Sequence, residues 1–164
     1  MQFRADQYYQ VSLERMEQSR KIYRGGNSFA LAMYCGGLAV ECLLRAFRWT
    51  EDSSFEGRHD LSELLKASRI LTVDEEYMRR RRASEQEIRT SGSIIRRAVD
   101  DIVLLWHNNL RFASEASVKT LLSGLGRLRK VKGDPLKKNA LELLNAAETV
   151  VDRGVVLWKS KTKL

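Results

Sequence analysis

The sequence has little of several things that would place it in familiar classes. Proline occurs once and glycine ten times in 164 residues, far below what disordered linkers or collagen-like chains carry. Cysteine and histidine occur twice each. On a helix Cys35 and Cys42 would lie ~10.5 Å apart along the axis at 1.5 Å per residue, too far for a disulfide. Neither His59 nor His107 is near them in sequence, so no metal site is expected at the usual ligand spacings. The longest apolar run, Phe29 to Val40, stops at Glu41 after 12 residues, short of the ~20 that a bilayer-spanning helix needs. The first residues, MQFRADQYYQ, show neither an apolar signal segment nor an Arg/Ser-rich transit pattern. The expectation is a cytoplasmic chain that avoids the membrane.

What is present is a globular balance: 43% apolar and 30% charged residues. At about 150 residues per domain this predicts one domain over 1–164. The chain carries 29 Lys and Arg against 21 Asp and Glu, a net charge of +8, which favours polyanionic partners. The excess concentrates between Lys119 and Lys138, where Arg127, Arg129, Lys130, Lys132 and Lys137 face only Asp134. So many cations in what reads as a loop repel one another unless something anionic offsets them. Arg79–Arg82 is a second cluster, equally readable as a solvated basic face.

Periodicity predicts helices throughout. Residues 3–24 carry Tyr8, Val11, Met16, Ile22 and Tyr23 among charged neighbours and stop at Gly25-Gly26. Asn27 or Ser28 caps a second helix over about 28–48, apolar around most of its girth and therefore central. Gly36 and Gly37 inside it predict close approach of a neighbour. A short helix follows Asp60, a fourth runs over Val73–Arg82 behind a Thr72 cap, and Ser91–Ser93 separates it from a stripe running from Ile94 to about Arg111. Asp134-Pro135 opens the last helix, which Gly154 interrupts. With no alternating run and no hairpin turn, the fold class is all-α, an antiparallel bundle of about five to six helices.

Three segments carry a resemblance: AVECLLRAF (Ala39–Phe47), HDLSELL (His59–Leu65), and Trp106 followed by LRF (Leu110–Phe112). In that order they resemble the core helix, helix start and tryptophan element of the HEPN family. The resemblance implies a HEPN-like bundle that commonly dimerises, working in toxin–antitoxin or defence systems. Many members are metal-independent ribonucleases without cofactor; others partner small nucleotidyltransferases or bind nucleotides. It also implies structural roles for Glu41, His59, Asp60 and Trp106, with Glu41 in a position to orient Arg111.

Active members of the family place an Arg four to six residues before a His, and that motif is absent here. An inverted pair stands instead, His107 and Arg111 with Asn108 and Asn109 between them; on a continuous helix both would share a face. His moves protons near neutral pH and Arg holds phosphate bidentately, so Arg111, His107 and Asn108 are the candidate catalytic set. Arg127, Arg129, Lys130 and Lys132 are the candidate RNA-phosphate contacts. The alternative is that His107 caps a helix end and Arg111 pairs with Asp100, Asp101 or Glu115. Gly124-Leu125-Gly126 lacks the strand and the Lys-Ser/Thr ending of a P-loop. Tyr8, Tyr9, Tyr23 and Tyr34 fit an oligomer interface or a core equally well. The expected function is therefore an RNA- or nucleotide-interacting homodimer, active as a ribonuclease or inert as a module for a nucleotidyltransferase or antitoxin partner.

Overall fold

A computed structural model describes residues 3–52, 59–128 and 132–161. The described residues form seven α-helices, a 3-10 turn and no strand: α1 Ala5–Gly25, α2 Phe29–Trp49, α3 Leu61–Ser68, α4 Ile70–Arg80, α5 Glu85–Leu105, the 3-10 turn Asn108–Phe112, α6 Glu115–Gly124 and α7 Pro135–Lys161. The architecture is an α-helical bundle.

The α1–α2 hairpin turns at Gly26, whose left-handed backbone (φ 66) lets its N–H reach the Tyr23 carbonyl. The Ser28 hydroxyl then accepts from the Leu31 N–H to start α2. Central α2 buries 14 of its 21 residues. It is long and apolar enough by composition to cross a bilayer, yet most of it lies inside the bundle, against α1, α3 and α7. Gly36 and Gly37 permit that packing. A Cβ on Gly37 would lie 2.1 Å from the Trp106 ring, and one on Gly36 would lie 3.0 Å from Leu143.

One core cluster runs from Tyr9 to Trp158. Tyr9 stacks on Trp158 at 4.9 Å, Tyr8 meets Trp49 and Tyr23 meets Phe29. All four tyrosines, Tyr34 included, thus pack in or against the core.

Several boundaries differ from the sequence expectation. Arg69 takes a left-handed conformation (φ 55) and α4 starts at Ile70, where the Ser68 hydroxyl accepts from the Ile70 N–H; Thr72 is inside the helix. Ser91–Ser93 does not separate helices. The reciprocal Ser84–Glu87 capping box starts α5 earlier, and the helix runs through Gly92. Gly154 does not interrupt α7; its missing Cβ accommodates Leu43, whose Cδ2 would sit 2.4 Å away from one. Asp134 caps α7 by accepting from Leu136 N–H.

The basic stretch read as a loop begins inside α6. The Ser114 hydroxyl caps this helix, and Glu115 in its first turn accepts from Ser28 Oγ and Ala30 N–H, joining the starts of α6 and α2.

Candidate functional site

The expected helix through His107 and Arg111 ends at Leu105. Trp106 turns extended (φ −116, ψ 135), its ring enters the notch at Gly37, and its indole N–H donates to the Tyr34 carbonyl at 3.1 Å. That indole has a single donor, and satisfying it inside the bundle pulls the chain out of helical geometry. His107 follows as the cap of the 3-10 turn: its Nδ1 accepts from the Asn109 N–H at 3.1 Å. A backbone N–H only donates, so Nδ1 is the lone-pair nitrogen and Nε2 carries the proton of the neutral ring.

His59 arrives from the start of α3, beside the Asp60 cap that accepts from Ser62 and Glu63 N–H. Its partner is not local. Nδ1 lies 2.8 and 2.9 Å from the two carboxylate oxygens of Glu41. Glu41 is 2% exposed in the middle of α2, and Arg45 one turn on donates to the same carboxylate from Nε at 2.8 Å. The carboxylate accepts only, so Nδ1 of His59 carries a proton, which makes Nε2 the lone-pair nitrogen of the neutral ring. Half of the His59 side chain remains exposed.

Both histidines line one open cleft of about 440 Å³, with Asp60, Leu61, Ser62, Val103, Trp106, Asn108 and Asn109. The volume falls within the range of small-molecule sites, and its polar groups are of both kinds. One imidazole is set to accept at Nε2 and the other to donate there, between carboxamides that do both. Two imidazoles on the walls of one cleft can serve acid–base catalysis when one of them is protonated to the imidazolium.

The structure therefore places His107 and Asn108 in the cleft but separates Arg111 from them. No α-helical i, i+4 face exists across residues 107–111, and Arg111 points elsewhere, its guanidinium 4.5 Å from the centre of the Phe112 ring. Arg111 also stands within electrostatic reach of Tyr34. Burial pushes that phenol above its usual range, and Arg111 partly offsets the rise. Glu115, a suggested partner of Arg111, is engaged at the start of α2 instead.

Of the candidate phosphate contacts, Arg127 pairs with Glu142 at 2.7 Å and belongs to a different cleft of about 490 Å³ between α5 and α7, lined also by Arg97 and Asp101. Lys132 is exposed; Arg129 and Lys130 lie outside the described residues. In the Arg79–Arg82 run, Arg79 pairs with Glu75 and Glu85 and Arg81 lies over the Tyr77 ring. No group of three or more His, Cys, Asp or Glu able to hold a metal occurs among the described residues. The two thiols are buried.

Sequence reasoning missed His59 as a cleft residue. Its link to Glu41 spans 18 positions and 48 positions separate it from His107 on the same cleft, so no spacing rule connects them. A signal did exist: a carboxylate in the most apolar helix requires compensation, and Arg45 alone leaves part of its accepting capacity free. Compared with known protein families, curated proteins and solved structures, the chain matches none.

Proposed function

We propose that the protein is a metal-independent ribonuclease of HEPN-like character, acting in a toxin–antitoxin or defence setting. The observation that carries this reading is the sharing of one cleft by the chain's two histidines, with His59 held by buried Glu41. Nε2 of His59 takes the proton of a ribose 2′-OH, and the 2′ oxygen attacks the adjacent phosphorus. The bond from phosphorus to the 5′ oxygen breaks, and that oxygen takes the Nε2 proton of His107 in its imidazolium form, which requires Nδ1 to release the Asn109 N–H. The products are a 2′,3′-cyclic phosphate and a 5′-OH; water returns the proton from His59 to His107. Glu41 stabilises the imidazolium that forms on His59, as an acidic partner does for a general-base histidine elsewhere. The amides of Asn108 and Asn109 hold phosphate oxygens, and the +8 charge brings the polyanion to the surface.

The test uses a strand of deoxynucleotides containing one ribonucleotide, in EDTA. This reading predicts a single cut on the 3′ side of the ribonucleotide, leaving a cyclic phosphate, and none when the ribose carries a 2′-O-methyl group. Failure to cut, or cutting of an all-deoxy strand, overturns it.

A second reading, an inert module for a nucleotidyltransferase, an antitoxin or a second copy, draws on α5. That helix leaves Ile94, Val103 and Leu104 between 42% and 51% exposed, with Ile94 on the cleft beside α7 and Val103 on the histidine cleft, apolar surface open to a partner. It predicts a sharp change in oligomeric state, and no loss of any nuclease activity, when Ile94 and Leu104 are replaced by Lys.

A further inference from the structure

Phe112 is 78% exposed, the largest exposure among the large apolar side chains of the described residues. Nothing in the packing explains a phenyl ring left in water, a placement that burial would favour reversing. Its surroundings are specific. The Arg111 guanidinium covers one face at 4.5 Å from the ring centre, and the high exposure leaves the rest of the ring open.

The 3-10 turn fixes where this pair stands. Leu110 anchors the turn in the core at 6% exposure, His107, Asn108 and Asn109 line the histidine cleft, and Arg111 and Phe112 follow on the exposed side. At ~2.0 Å of rise per residue, Phe112 stands ~8 Å along the turn from Asn108, within reach of a nucleotide next to one bound in the cleft. An exposed aromatic ring paired with a cation at the edge of a groove is the recurring platform for a nucleobase: the ring offers stacking to any base, and the guanidinium offers charge to the phosphate.

We propose that Arg111 and Phe112 form a base-stacking subsite for single-stranded nucleic acid, which sets the register of the strand on the histidine cleft. The subsite rests on the ribonuclease reading for its orientation towards the cleft, but not for its ability to bind. It gives Arg111 a positioning role in place of direct contact with the scissile phosphate. Charge complementarity favours a polyanion over a protein partner here: the molecule carries +8, and Arg111 has no carboxylate salt bridge among the described residues.

The test measures binding of a fluorescent 2′-O-methyl oligouridine, which cannot be cleaved through its 2′ position, by anisotropy at several salt concentrations. Phe112→Ala should weaken binding about tenfold, Phe112→Trp should restore it, and Phe112→Leu should not, because stacking rather than apolar bulk is required. Arg111→Ala should lower the salt dependence by about one phosphate contact, and Phe112→Ala should leave it unchanged. Equal binding by wild type and Phe112→Ala, or full rescue by Leu, overturns the proposal, as does a Phe112→Ala variant that loses oligomeric state while still binding the strand. Cleavage of unmodified RNA is followed in parallel. Phe112-dependent binding without cleavage sinks the ribonuclease reading and leaves the subsite standing; cleavage with binding indifferent to Phe112 does the reverse.

Discussion

Glu41 holds His59 across 18 residues, from the interior of α2 to the start of α3, with Nδ1 2.8 Å from one carboxylate oxygen and 2.9 Å from the other. The same carboxylate receives the Arg45 Nε–H, so one buried acceptor orders two side chains. Removing it with Glu41→Ala should destabilise the fold by ~3–5 kcal/mol, as when one member of a buried ion pair is removed, visible as an earlier urea midpoint. Glu41→Gln keeps the volume and should cost less. In Glu41→Ala an Nδ1–H signal of His59 should vanish from the proton spectrum while His107 is unchanged. Persistence of that signal in Glu41→Ala would show that something else orients the ring.

Two glycines inside helices should respond to the same substitution with opposite sign. Gly37→Ala drives a methyl to 2.1 Å from Trp106 Cδ1, and the ring is held by its bond to the Tyr34 carbonyl. Overpacking there should cost ~1–3 kcal/mol or more and perturb the cleft that Trp106 lines. Gly92→Ala meets nothing within 4 Å and should stabilise α5 by ~0.5–1 kcal/mol. At ~2–4 °C per kcal/mol for a chain of this size, thermal unfolding separates the two.

Alkaline stability should depend on Cys42. Burial pushes its thiol from the ordinary 9.0 up to about 12. Between those values the native chain keeps a proton that the unfolded chain releases. The native state thus binds more protons, and stability falls as pH rises through that window. Urea titrations at pH 9 and pH 11 should show wild type losing ~2–3 kcal/mol more than Cys42→Ala, at ~1.4 kcal/mol for each pH unit. Equal losses would mean that the thiol ionises without opening the core.

Asp74, 1% exposed on α4, pairs with Arg153 of α7 at 2.5 Å, and Arg153 also lies over the Tyr77 ring. Asp74→Ala should cost ~3–5 kcal/mol by leaving the guanidinium beside apolar surroundings. The double replacement Asp74→Leu with Arg153→Met should recover most of that loss, since well-packed apolar pairs substitute for buried ion pairs at little cost. A double variant as unstable as Asp74→Ala alone would assign the loss to packing on Tyr77.

The features legible in the sequence are those with local causes. Ser28 and Asp134 cap α2 and α7, apolar α2 is central, and Gly36 and Gly37 mark close contacts, because capping and periodicity act within a few residues. The end of α5 at Leu105 was not legible. Residues up to Arg111 continue a helical stripe, and only Trp106, seeking the Tyr34 carbonyl and the Gly37 notch, breaks it. In the same way, Ser91–Ser93 resembles a linker until the Ser84–Glu87 box, several residues earlier, is seen to start the helix. The candidate site was half legible. His107 and Asn108 line a cleft, whereas His59 joins them through a tertiary contact to Glu41, and Arg111 leaves them because the turn is 3-10 rather than α.

The central claim is that the two histidines work as a pair, and rate measurements on single variants test it most directly. Wild type, His59→Ala and His107→Ala, each checked for an unchanged circular dichroism spectrum and unfolding midpoint, are compared on one single-stranded RNA in EDTA. Removing a general acid or base typically costs 10²–10⁴-fold in rate, so each variant should fall at least a hundredfold below wild type. A variant of either histidine that cleaves within about twofold of wild type would contradict the account.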